Sequence, residues 1–121
     1  MSKIEFAEAF KKRTKDFTLE IINLYRNLPK TEEARIVGRQ LLRSATSVAS
    51  NYRAACRARS NNEFFAKISI VVEEADETVF WLELLDEAKI IMVDKKIMKE
   101  AKEILAVVSS SRKTLKSKRY D

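Results

Sequence analysis

The chain has 121 residues, of which 45% are hydrophobic and 35% charged, with one glycine, one proline and a formal net charge of +6. So few turn formers over that length argue for long helices in one domain, and against sandwiches or barrels, which turn roughly every ten residues. The absence of histidine and the presence of a lone cysteine, Cys56, exclude imidazole acid–base chemistry, a Cys–His dyad, a structural zinc site and an internal disulfide.

Four amphipathic helices are predicted. The first spans about residues 5–27, where Phe10, Thr14, Phe17, Ile21, Leu24 and Leu28 recur at spacings of four and three and so share one face. Leu28-Pro29 ends it, because the residue before a proline is pushed out of the α region. Thr31 is the expected N-cap of the second helix, residues 31–58, with Glu32 and Glu33 set against its positive dipole end. The seam of that helix is Ala34, Gly38, Leu41, Ala45, Val48, Tyr52 and Ala55, small enough to draw a neighbouring helix close. A glycine inside a helix costs about 1 kcal/mol relative to alanine, so close packing is the expected compensation at Gly38. Cys56 lies beside the seam and reads as a small buried hydrophobe rather than a reactive thiol.

Ser60-Asn61-Asn62-Glu63 is a capping box and opens the third helix, residues 61–88. Phe64, Ile68, Val71, Ala75, Thr78, Leu82 and Leu85 form its core stripe. A second stripe, Ile70, Glu74, Glu77, Trp81 and Leu84, runs along another face. Such an apolar surplus reads as an interface with another subunit; the alternative is a tryptophan that wraps the edge of its own core. Asp94 caps the fourth helix, residues 95–116, whose seam is Ile97, Ala101, Ile104, Val108, Ser111 and Leu115. Beyond Ser109-Ser110-Ser111 a basic tail, 112–121, is expected to fray. Short links between the helices give an all-α fold, an up-down-up-down antiparallel four-helix bundle. No signal segment is visible and no apolar run approaches the ~20 residues that span a bilayer, so a cytoplasmic protein without a membrane partner is expected.

Charge is segregated along the chain. Residues 1–59 carry a net +7, residues 60–88 a net −7 and residues 89–121 a net +6. Glu73, Glu74, Asp76 and Glu77 do not read as a metal site, because bundle di-metal sites use Glu-x-x-His pairs on facing helices. Paired-carboxylate catalysis has no second helix to draw on, and one glycine cannot build a phosphate loop. No catalytic residue, metal or cofactor is therefore assigned, and the chain reads as a non-enzyme.

The cations are more informative. Arg35, Arg39 and Arg43 are four apart, Arg53 and Arg57 repeat that spacing, and no acid occurs from Ala34 to Asn62. Like charges at i, i+4 repel, so an offset is required. Pairing with Glu74 and Glu77, within or between subunits, is the expected offset for Arg43, Arg53 and Arg57, which join Ile70, Glu74, Glu77, Trp81 and Leu84 as candidate oligomer contacts. Phosphate is the other offset, since guanidinium groups grip it bidentately. Candidate nucleic-acid contacts are Lys11, Lys12, Arg13, Arg35, Arg39, Arg112, Lys113 and Lys116. The cluster 11–13 and the tail read as the freer groups because no acidic block lies beside them. Aromatic residues are not interleaved with these bases, so contacts to the phosphate backbone are expected rather than base stacking.

The run from Gln40 to Ser60, QLLRSATSVASNYRAACRARS, resembles the signature of the 23S rRNA intervening-sequence proteins, four-helix bundles often labelled ribosomal proteins. The run Glu74 to Leu85, EADETVFWLELL, with Phe64 and Lys67 ahead of it, resembles the second signature of that family; Arg13–Phe17 and Leu28-Pro29 also match, so the similarity covers about residues 10–88. The resemblance implies a bundle protomer that assembles as a homopentamer. It also places the chain near the accessory variability protein of diversity-generating retroelements, a basic pentamer that binds nucleic acid and a reverse transcriptase. It supplies no catalytic residues. Ala54 stands where the family usually has glutamate, which leaves Arg53 and Arg57 less neutralised. Two functions follow as expectations: an oligomer that presents a basic surface to RNA or DNA backbone, or a protein–protein adaptor that partners, for example, a reverse transcriptase.

Overall fold

The structure, a computed structural model, describes residues 1–120, with side chains through residue 115. Four helices follow one another: α1 (Lys3–Arg26), α2 (Glu32–Ala55), α3 (Asn61–Glu87) and α4 (Lys95–Tyr120). Each packs on its chain neighbours and α1 also meets α4, and among the described residues the backbones of diagonal helices do not approach closely. The result is the antiparallel four-helix bundle expected from the hydrophobic spacing.

Side-chain caps begin the helices. Ser2 and Glu5 form a reciprocal capping box at α1, which starts the helix two residues earlier than its apolar pattern indicates. Thr31 Oγ1 accepts the Ala34 N–H at α2, and Ser60 Oγ accepts the Glu63 N–H at α3. Asp94 Oδ1 accepts the Lys96 N–H at the start of α4.

The ends of two helices depart from expectation. Helix α2 stops at Ala55 rather than near residue 58, because Arg57 and Ala58 donate to the carbonyls three residues back and tighten the chain into the reversal before Ser60. The tail does not fray after Ser111; α4 continues to Tyr120. Arg112 holds it to α3, with its guanidinium 4.7 Å from the Phe65 ring centroid and Nε donating to Ser69 Oγ at 2.8 Å. Helix α3 closes in a Schellman turn, with Lys89 N–H donating to Asp86 O and Ile90 N–H to Leu85 O. Lys89 occupies the left-handed position at φ 59°.

The seams predicted for all four helices meet in one core, with Ile21, Leu41, Ile68, Leu82, Leu85 and Ile104 fully buried. At Gly38 the chain at and just past the end of α1 approaches closely: a Cβ there would lie 2.5 Å from Leu28 Cδ1 and 3.2 Å from Tyr25 Cδ1. Ser44 and Thr78 are buried polar groups on facing helices. Their hydroxyl oxygens lie 2.9 Å apart, with the Leu41 carbonyl 3.1 Å from Ser44 and the Glu74 carbonyl 2.8 Å from Thr78. That contact fixes the register of α2 on α3.

Candidate nucleic-acid interface

Three separate surroundings hold the cations that the sequence singles out. On α1 the cluster 11–13 is neutralised, contrary to expectation. Lys11 Nζ lies 2.8 Å from Glu8 and Lys12 Nζ 2.7 Å from Asp16, one turn away on the same helix. Arg13 reaches across to α4: its Nε and Nη2 donate to the two Glu100 oxygens at 2.8 and 2.6 Å, and Nη2 also meets Glu103 at 2.9 Å. The acids that neutralise Arg13 come from a segment 87 residues away, so no local charge pattern exposes them. The Arg13 hydrogen bond holds the Glu100 carboxyl below its ordinary value, and the guanidinium is correspondingly raised by Glu100.

On α4, Arg112 is engaged with Phe65 and Ser69, and so is not the free tail cation expected. Lys113 is exposed and makes no ion pair among the described residues. Lys116 lies outside the residues whose side chains are described.

On α2 the pattern splits. Arg43 is paired within the chain, with Nη1 2.8 Å from Glu74 Oε2 and Nη2 on Glu77 Oε1. Trp81 Nε1–H donates to the same Glu77 oxygen at 3.1 Å. That bond, ahead of the Arg43 contact, lowers the Glu77 carboxyl. Arg35, Arg39, Arg53 and Arg57 are exposed and form no ion pair among the described residues. At 3.6 residues per turn Arg35, Arg39 and Arg53 fall within about 40° of arc on the outer face of α2; Arg57 follows just beyond the end of the helix, in the reversal after Ala55. From Arg35 to Arg53 the row is about 27 Å long at 1.5 Å per residue. Thr46 and Ser50 lie between the two pairs, exposed and uncharged, their hydroxyls donating to backbone carbonyls of their own helix. Glu32, one turn before Arg35, does not pair with it.

The second α3 stripe divides as well. Trp81 and Leu84 are half-buried and pack on their own core, whereas Ile70 remains 39% exposed. Phe80, which belongs to neither predicted stripe, is 51% exposed and meets Trp81 edge-on at 4.8 Å. Its position opposite the core stripe was the available signal. Beside the termini, an open groove of about 860 Å³ is lined by Ile4, Phe6, Tyr52, Cys56 and Phe64 among others, without a carboxylate. Burial pushes the Cys56 thiol up, away from thiolate chemistry. Among the described residues no group of three or more His, Cys, Asp or Glu side chains could hold a metal, and no helix is long and apolar enough to cross a membrane.

A sequence profile for the 23S rRNA-intervening sequence protein matches residues 8–110, most of the bundle. The chain belongs to that family. A crystal structure from the S23 ribosomal protein family of Bacteroides thetaiotaomicron, a protein described as of unknown function, is 34% identical. It superposes with a TM-score of 0.78 over 85% of this chain and 97% of its own length. No curated protein matches the chain. Membership in the intervening-sequence protein family accounts for the bundle and for the two motif runs on α2 and α3; it assigns no chemistry to any side chain.

Proposed function

We propose that this intervening-sequence protein is a non-enzymatic, cytoplasmic nucleic-acid-binding protein that grips the phosphate backbone with the outer face of α2. The observation that carries the reading is the stripe Arg35, Arg39, Arg53 and Arg57, exposed, unpaired and free of acids from Ala34 to Asn62. Like charges along and just beyond this face repel one another in the free protein. Phosphates relieve that repulsion through bidentate, charge-assisted hydrogen bonds. Lys113 adds a further uncovered charge on α4. Contacts of this type position a backbone and carry no direct base readout.

The protomers act as an oligomer, a homopentamer by family resemblance, joined along α3 through Ile70 and Phe80 beside Trp81. Large apolar side chains exposed along one helix support that assembly. They also support the second reading, an adaptor whose α3 face docks a different protein.

The deciding experiment is fluorescence anisotropy with labelled RNA across a salt titration. Four neutralised phosphates give a slope of log K against log salt of about −2.8 on a single strand and about −3.6 on a duplex, so affinity falls roughly 50- to 150-fold between 50 and 200 mM salt. Replacing the four arginines by glutamine removes binding and leaves helicity unchanged. Salt-insensitive binding, or full affinity in that variant, rejects the α2 face.

A further inference from the structure

A second cationic row lies on α4. Lys95, Lys99, Lys102 and Lys113 are exposed and form no ion pair among the described residues. At 3.6 residues per turn they fall within about 60° of arc, and the buried Ala101, Ile104 and Val108 lie on the opposite side of the helix. The row is therefore the outward face of α4, about 27 Å long at 1.5 Å per residue. The acids between its ends are Glu100 and Glu103, and both are turned to Arg13 of α1. The contact that neutralises Arg13 thus leaves the lysines unbalanced. Lys95, Lys99 and Lys102 border one shallow depression, whose lining Met98, Glu103 and Ala106 complete. Like charges at these spacings repel, and Lys95 stands in the first turn, where a helix disfavours cations.

Resting on the reading that α2 grips phosphate, we infer that the protein bridges two nucleic-acid segments, one held by α2 and a second by the lysine row of α4. The two helices are diagonal in the bundle: each packs on α3, and their backbones do not meet. Neighbouring helix axes lie about 8–10 Å apart and a helix with its side chains is about 5–6 Å in radius. The two rows therefore stand roughly 25 Å apart and point away from each other, so one straight backbone does not reach both. Nor is there a cationic path around the protomer. On one side α3 exposes Glu73, Asp76 and Glu87, none of them in an ion pair among the described residues; on the other, Lys11 and Lys12 of α1 are already paired with Glu8 and Asp16. An ammonium group is a point charge without the bidentate fork of guanidinium. The α4 row accordingly binds more weakly than the arginines, and its hold accumulates where many protomers are arrayed on one nucleic acid.

The test is a capture assay on the intact protein. A biotinylated RNA duplex on beads is loaded with protein at low salt, washed, and offered a fluorescent duplex; a parallel arm uses DNA duplexes of the same sequence. Retention of the labelled duplex, lost on raising salt, is the expected result. Retention in either arm supports bridging, and the contrast between arms tells which phosphate backbone the rows accept. The variant carrying Lys95→Gln, Lys99→Gln and Lys102→Gln keeps its circular dichroism and binds a single free duplex within about threefold of the parent, yet its capture falls about tenfold or more. Capture by that variant at the parent level overturns the inference, because an oligomer is then bridging through its α2 faces alone. A parent that binds a free duplex but retains no second one overturns it as well. Both results leave the phosphate-binding reading of α2 standing, whereas no binding of the parent to any duplex at low salt rejects both.

Discussion

Arg13 shows how one side chain changes its role once a distant partner is supplied. Its two-pronged contact with Glu100, extended to Glu103, joins α1 to α4 where those helices otherwise meet sparsely. The bridge is about one-third exposed, so solvent screening limits it to about 1 kcal/mol. Glu100→Gln is accordingly expected to lower stability by about that amount at pH 7 in urea melts. The sign of the pH dependence follows from the lowered carboxyl: its stabilisation is present above the ordinary value of 4.5 and is lost as pH falls through the depressed folded value. The difference between parent and variant therefore closes in that acid window, and a constant difference down to pH 2 would reject the bridge. Lys89 carries the opposite kind of effect. A non-glycine residue in the left-handed region costs about 1 kcal/mol or more, so Lys89→Gly is expected to raise Tm by roughly 4 °C. Neither partner of Arg13 is visible from the sequence near it, and the left-handed turn is placed where a charged residue gives no local sign of it.

At the scale of the helix, α2 is the best-specified element. Thr31 caps it, its small seam faces the core throughout, and its outward face keeps the arginines. Gly38 is the position where propensity and packing oppose each other. Alanine there gains about 1 kcal/mol of helix propensity, but its methyl meets Leu28 Cδ1 and the Tyr25 ring, and overpacking costs about 1–3 kcal/mol. Gly38→Ala is expected to be net destabilising by about 1 kcal/mol. In a Leu28→Ala background the same change becomes neutral or favourable, because the methyl fills space that leucine vacated. A double-mutant cycle in denaturant measures this coupling; additivity of the two changes would show that α1 and α2 are not in contact there. The expectation that a tight approach compensates for Gly38 came from the seam alone, whereas the identity of the approaching groups, one of them just before Pro29, required the packed bundle.

For the molecule as a whole, the segregation of charge resolves into faces. Acidic residues of α3 take up Arg43, acids of α4 take up Arg13, and the outer face of α2 is left cationic. Assembly belongs to this scale too. Phe80→Glu places a charge at an exposed site that supports no core contact, so the protomer fold is expected to persist in circular dichroism. Light scattering is expected to report a smaller particle. An unchanged mass would remove Phe80 from the proposed subunit interface and favour the adaptor reading of the α3 face.

Periodicity, capping residues and the scarcity of glycine determined the four helices, their order and nearly all of their buried faces, because those signals act within a turn or two of the chain. Tertiary structure alone decided that Arg13 and Arg112 are covered. Arg13 and Arg112 look as free as Arg35 in sequence, yet one meets Glu100 and the other Phe65 and Ser69. Ion pairing is set by distance in space, and a folded bundle brings together charges that the chain keeps 87 residues apart.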